Sequence, residues 1–479
     1  MCASEPTQDD RQLDSRRQAP RRPASVPWLP LTAILLVAAG LRLWKLDRTS
    51  LWYDEVVTMR VAQADTPAAM IQRLDQLDGT RAPLHPLVLH LWLSAWGPSD
   101  VAGRSFSVVC GVATVAVVFL IGRQAFDQRT GCWAAWLAAV CPPLVYYSQE
   151  ARMYAWLVLL ASASWLVFLS FRRAAGPARC LGYGLLLASM AYSHPLGLFL
   201  IAAHGLAYVL VRPALVLPLR RWMLIQAAVA LSILPWLGRY LDHGTDYIMP
   251  RYPIRFLLAV PLEYIGGNSL VLLACLGIVG AGVLSLEPPD GRRRPLILDP
   301  VENLVVITWA TVPPVLMYVY SYLAQPIFGP ARYHLFVAPA YLILVAHGLT
   351  RLPPLLRWPL AACGLLFSLS LLQVYSPAIK ADWRGLAAWL NQRHPGGLHD
   401  RVTVVVHPGD PRFPREPLEA ARYYLGARFP VFLAGETTDS AAGGTVTTYE
   451  VTCLAQPKIG SSKPGEPGFL GLAVTVHQP

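Results

Sequence analysis

Two adjacent acids, Asp54 and Glu55, sit in the stretch LWYDEVVTMR, directly after an apolar run over residues 26–46. A run of about 20 residues is enough to cross the hydrocarbon of a bilayer, so the pair falls at the membrane surface. A carboxylate is less costly there than at bilayer depth, yet it reaches a lipid headgroup. Two readings stand for Asp54. It caps a short interfacial helix, since Asp favours the N-cap, or it takes a proton from a bound hydroxyl as a general base. Other polar groups lie in short segments between later apolar runs. YYSQEARMY supplies Gln149, Glu150 and Arg152, and a tight turn holds Ser193 and His194. Residues 247–264 carry Arg251, Tyr252, Arg255 and Glu263, while PARYHLF places Arg332, Tyr333 and His334 at the opening of a span. Each has a plain structural alternative: a loop salt bridge, a turn histidine, or an arginine snorkelling to lipid phosphate. Together they describe an outward-facing, half-immersed site with one base and several cations. Such a site suits an amphiphile with a phosphate-ester headgroup, displaced at the carbon that bears the phosphate.

The elements that must position these groups are read from hydropathy. The chain has 479 residues, 54% hydrophobic and 14% charged. Soluble proteins carry roughly 25% charged residues. Beyond 26–46, apolar runs recur at about 102–122, 131–147, 154–171, 180–193, 196–211, 222–240, 268–286, 303–321, 333–349 and 358–375. The expected fold is mainly α: a polytopic transmembrane helical bundle of about 11 spans. Arginine recurs in alternate loops, at Arg123 and Arg129, Arg172 to Arg179, Arg212 to Arg221, Arg292 to Arg294, and Arg351 to Arg357. The positive-inside rule makes those loops cytoplasmic. The N-terminus is then inside and the C-terminus outside, in the cell (inner) membrane. The first outer loop holds two further helical stretches, Thr66–Leu77 and Pro83–Trp96, too short to span and suited to the interface.

Residues 1–25 are polar and Arg-rich and are expected to be a disordered cytoplasmic tail. Residues 26–376 form the transmembrane domain. From 377 to 479 the pattern changes: DWRGLAAWLNQR and PLEAARYYLG read as helices, and RVTVVVHP, PVFLA, TVTTYEVTC and GFLGLAVTV as strands. A small extracytoplasmic α/β domain is expected there.

Several chemistries are excluded. The net charge of +11 follows from cytoplasmic-loop arginines, and no basic stretch carries interleaved aromatics, so nucleic acid is not expected as a partner. Neither a P-loop nor a GxGxxG phosphate cradle is present. The eight cysteines form no CxxC or Cys/His spacing. No cofactor is expected; a divalent metal is compatible with the chemistry but nothing in the sequence marks a site for one. A transporter or flippase would place charged or broken segments near mid-bilayer, whereas the acids here cluster at the outer edge. An inactive scaffold is the remaining alternative.

The stretch RLWKLDRTSLWYDEVVTMRVA resembles the first outer loop of the GT-C membrane glycosyltransferases. The nearest subgroup is similar to protein mannosyltransferases, lipid A aminoarabinose transferases and lipopolysaccharide-core galacturonosyltransferases. The likeness runs on through RAPLHPLVLHLWLSAWGPSDVAGRSFSVVCG and YYSQEARMY, and returns in FGPARYHLF and DWRGLAAWL. It implies transfer of a sugar from a polyprenyl-phosphate carrier to an acceptor outside the cytoplasm, usually with inversion. It also implies that Asp54 is the catalytic carboxylate with Glu55 beside it. Arg152, Glu150, Gln149, Arg332, Tyr333 and His85 are the expected donor-phosphate and substrate-binding residues. One departure falls at Ala82–Pro86, where members often carry Pro-Pro-Leu-Tyr-Tyr; His85 stands in that stretch, and acceptor choice is expected to differ with it.

Overall fold

The computed structural model describes residues 28–241, 250–264, 269–283, 300–329, 331–374, 380–397, 402–408, 415–435, 446–453 and 472–477. The expected N-terminal tail, the start of the 247–264 loop and the segment KIGSSKPGEPG lie outside them. Helices occupy every position where an apolar run was read, among them Trp28–Leu43, Asp100–Ala125, Gln128–Val140, Tyr154–Ser170 and Ala338–Arg351. Among the described residues, five helical stretches are long and apolar enough to cross a membrane: Asp100–Ala125, Gly197–Ala214, Leu219–Leu241, Val301–Leu323 and Pro354–Leu372.

Two runs depart from a single helix. The run expected at 131–147 breaks at Cys141, which is extended, and resumes as Pro142–Tyr147. Two prolines cause this: Pro142 disfavours the helical conformation of the residue before it, and neither proline donates a backbone hydrogen bond. The run expected at 333–349 begins as two 3₁₀ turns, Ala331–Tyr333 and Leu335–Val337, before the helix Ala338–Arg351. Arg332 therefore sits in a tight turn ahead of the helix rather than at its first residue.

Asp100–Ala125 is the central helix and packs on Trp28–Leu43, Gln128–Val140 and Tyr154–Ser170. A Cβ at Gly122 would stand 2.9 Å from the Gly131 Cα, so the antiparallel pair approaches backbone to backbone. Small residues at helix crossings allow that approach, which dispersion then rewards. Between the first helix and Asp100–Ala125 lie three short helices: Tyr53–Ala62, Pro67–Leu77 and Leu84–Trp96. Thr66 caps the second by accepting from the Ala69 amide at 3.1 Å.

Among its described residues the C-terminal segment holds two helices, Trp383–Arg393 and Arg415–Leu425, and four strands: β1 (Val402–His407), β2 (Val431–Leu433), β3 (Thr447–Cys453) and β4 (Leu472–His477). Their order is β2-β1-β3-β4. β1 runs parallel to β2 and β3, with Val404 beside Val431 and Tyr449, and β3 runs antiparallel to β4. Alternate residues Val402, Val404 and Val406 are buried, the period of a strand with one covered face. That face does not close on itself alone. Leu386, Leu390, Val404, Leu418 and Leu425 share one apolar cluster with Leu51, Val56, Met59, Ala62 and Leu89 of the first loop. The C-terminal segment and the first loop thus form a common core, separate from the cluster inside the bundle.

Candidate active site

The helix Tyr53–Ala62 carries both acids, and they face opposite surroundings. Successive residues on a helix point about 100° apart. Glu55 turns inward with no exposed surface, while Asp54 keeps 23% of its side chain exposed. Gly103 lets the helix seat closely, since a Cβ there would meet the Met59 sulfur at 2.5 Å. The helix starts at Tyr53, with Trp52 at the N-cap. Asp54 is therefore not the cap; Glu55 reaches back instead and accepts from the Trp52 amide at 3.2 Å.

Glu55 is gripped from several sides. Arg104 donates through Nε at 2.9 Å and Nη2 at 3.0 Å, the Ala151 amide donates at 2.9 Å, and Lys380 Nζ donates at 2.7 Å. Arg104 also donates to the carbonyls of Leu46, Thr49 and Ser50, pinning the chain that leads into the helix. Burial alone would lift the Glu55 carboxyl; Lys380 and then Arg104 outweigh it and hold it down at about 2. Glu150 is also buried, 3.5 Å from Lys380, with Oε2 lacking a hydrogen-bond partner. Burial pushes its carboxyl up; Lys380 opposes this, and Glu55 and Asp54 add to the rise.

Asp54 faces Arg332, with Oδ2 3.6 Å from Nη1 and both side chains about one-fifth exposed (23% and 20%). Arg332 lies over the Trp52 and Tyr333 rings and donates to the Tyr333 hydroxyl at 3.1 Å. Aromatic faces hold a guanidinium without neutralising it. Arg152 is behind the helix. It donates to the Asp54 carbonyl at 3.1 Å and the Thr58 hydroxyl at 2.7 Å, and stands 3.6 Å from Asp78. Burial works against its charge, but Asp54 and Asp78 more than offset that and raise its pKa.

Of the remaining candidates, Gln149 lines a small cavity with Arg104, Glu150 and Lys380. Gln149 donates to the carbonyls of Leu41, Arg42 and Trp44, satisfying the end of the first helix. His85 is buried against Phe106, and burial first, then Arg152, push its pKa down to about 3. His194 accepts from the Leu196 amide within its own turn at 3.1 Å. His334 is buried against the Tyr264 hydroxyl at 2.7 Å. Among the described residues, no cluster of three or more His, Cys, Asp or Glu is placed to hold a metal ion.

Sequence reasoning missed Arg104, Lys380 and Asp78. Arg104 did leave a signal: an ionisable residue inside an apolar span needs a partner. Lys380 left one too, as a lysine in a chain whose other basic residues are nearly all arginine.

Residues 80–238 match the family model of dolichyl-phosphate-mannose-protein mannosyltransferase. None of the curated proteins matches the chain significantly. Among solved structures, ArnT from Cupriavidus metallidurans in the apo state is similar with a TM-score of 0.60 at 13% identity, covering 89% of this chain and 93% of that one. The same protein bound to undecaprenyl phosphate gives 0.58 at 13% identity, covering 94% and 98%. The Archaeoglobus fulgidus oligosaccharyltransferase gives 0.50 at 13% identity, covering 88% of this chain and 68% of that one. All three matches are to GT-C glycosyltransferases. The fold is theirs, and the resemblance read in the outer loops is borne out by it.

Proposed function

We propose that the chain is a multi-pass glycosyltransferase of the cell (inner) membrane. It moves a glycosyl group from a polyprenyl-phosphate-linked sugar to a hydroxyl of a lipid, glycan or protein acceptor on the extracytoplasmic side. The observation that carries this reading is the Asp54–Arg332 pair: an acid and a cation 3.6 Å apart, both part-open, the acid on a helix whose other acid is sealed. Asp54 accepts the proton of the acceptor hydroxyl as its oxygen attacks the anomeric carbon. The bond from that carbon to the phosphate oxygen breaks, with inversion, and the lipid phosphate leaves toward Arg332. A phosphate leaving group is a weak base, so charge stabilisation matters more than protonation. Arg152 holds the Asp54 backbone in place from behind. This path calls on no cofactor. The structural match to ArnT, which has been solved bound to undecaprenyl phosphate, supports a polyprenyl carrier.

The topology proposed is eleven spans, with the N-terminus cytoplasmic and the C-terminal segment outside. A reporter active only outside the cytoplasm, fused after Ala381, is then active; activity of a cytoplasm-only reporter there removes the model. The donor is tested on one purified preparation, offered labelled polyprenyl-phosphate sugar and the matching nucleotide sugar in turn. Transfer from the lipid-linked donor alone is expected. Label moved from the nucleotide sugar with no lipid carrier present overturns the donor assignment.

A further inference from the structure

Four buried charges meet where the C-terminal segment docks on the first loop. Arg104, Lys380, Glu55 and Glu150 keep only 2%, 9%, 0% and 3% of their side chains exposed. Two cations face two carboxylates, so the set is neutral. Arg104 belongs to the central helix of the bundle. Lys380 does not: it enters from the C-terminal side, 325 positions along the chain from Glu55. The same segment is fastened nearby. The Arg384 amide donates to the Ser50 hydroxyl at 3.0 Å, and the Tyr424 hydroxyl accepts from the Leu51 amide at 2.7 Å and donates to Asp100 at 2.6 Å.

A buried charge left without its partner is strongly destabilising. Without Lys380, two carboxylates face one cation. Either one takes up a proton, or the helix Tyr53–Ala62 shifts to let water in. Both disturb the neighbouring residue, Asp54. Neutralising Glu150 as well restores the balance. Tyr146, Asp100 and Tyr423 also lie within electrostatic reach of Glu55, and none of these brings a positive charge to replace the lysine.

We infer that Lys380 is a positioning residue: the docked C-terminal segment supplies the charge that locks Glu55, and through it keeps Asp54 against Arg332. The role of Asp54 in this statement rests on the glycosyl-transfer reading above. Docking of the segment and readiness of the site are then one equilibrium, because the segment's own core is shared with the loop it positions.

The test uses the full-length protein and three variants: Lys380→Met, Lys380→Arg, and Lys380→Met combined with Glu150→Gln. Two quantities are measured, amide hydrogen exchange over Tyr53–Ala62 and binding of undecaprenyl phosphate, each across the neutral and mildly acidic range. Lys380→Met is expected to speed exchange in that helix by roughly tenfold or more and to weaken binding similarly, as befits an unpaired buried charge. The acid limb of its binding profile should also move to higher pH. Lys380→Arg and the double variant should restore both. A lysine that is merely structural would leave the shape of the pH profile alone and would not be rescued by Glu150→Gln; that result overturns the inference. If the parent chain fails to bind undecaprenyl phosphate, the carrier reading falls and exchange alone decides. Unchanged exchange in Lys380→Met, or equal exchange in the single and double variants, then contradicts the positioning role.

Discussion

The two sides of the helix Tyr53–Ala62 differ in what holds them. On one side, Glu55 accepts from Arg104, Lys380, Ala151 and Trp52 and is closed to solvent. On the other, the Asp54 carboxylate faces the Arg332 guanidinium at 3.6 Å and stays part-open. An ion pair that many donors complete is a fixture of the fold. A pair that one longer contact completes is open to exchange with a ligand. In the proposed mechanism the two neighbouring carboxylates take separate duties, Asp54 in proton transfer and Glu55 in holding the helix that carries it.

The comparison breaks most sharply at Glu55. Glu55→Ala leaves Arg104 and Lys380 buried without their shared partner, and should destabilise the protein by about 3–5 kcal/mol. Thermal unfolding in detergent measures it; a stability close to the parent would mean the sealed side is not what holds the helix.

Acid tests the same side with no substitution. The Glu55 carboxyl is held at about 2, below its ordinary 4.5. A depressed carboxylate adds stability above its unfolded pKa, and that stability is lost as the pH falls through the folded value. Glu150, shifted upward, acts in the opposite sense, losing stability as the pH rises. The melting temperature should therefore fall steadily as pH drops from about 4.5 toward 2. The decline should be shallower in Glu55→Gln, and matching slopes would assign the acid sensitivity to other groups.

On the open side, Arg332→Ala should weaken use of the phosphate-linked donor by about tenfold, the worth of one charged hydrogen bond. Arg351→Ala, at the far end of the helix Ala338–Arg351, should leave donor use unchanged. Equal small effects would reduce Arg332 to a lipid anchor. The smallest effect is expected at Gln149, whose three carbonyl contacts make it a cap. Gln149→Ala should lower stability by about 1 kcal/mol with donor affinity intact. Lost affinity at unchanged stability would return Gln149 to the donor site.

The acids, the apolar runs and the C-terminal strands were all legible in the sequence, because each is a local pattern. Hydropathy over 20 residues marks a helix, and alternation marks β1. The division of labour between Asp54 and Glu55 was not legible. The two are adjacent in the chain, and the tertiary contacts that turn Glu55 inward, from Arg104, Ala151 and Lys380, come from distant segments. Lys380 was illegible as a partner of Glu55 for a related reason: a contact 325 positions apart is set by the docking of a whole segment. Gln149 reads as a site candidate in the sequence because a polar residue at a membrane edge serves a ligand or a helix end alike; the structure shows it donating to three carbonyls of the first helix end. The break at Cys141 was within reach, since the two prolines that follow it mark the boundary.

In the proposed mechanism Asp54 is a proton acceptor and not part of the scaffold. Asp54→Asn preserves the shape of the side chain and removes its basicity. Its glycosyl transfer from a polyprenyl-phosphate donor should be measured beside its melting temperature. The account predicts transfer reduced by roughly 10²–10⁴-fold with the melting temperature unchanged. Transfer at the parent rate, or a loss of transfer matched by a loss of fold, would contradict it.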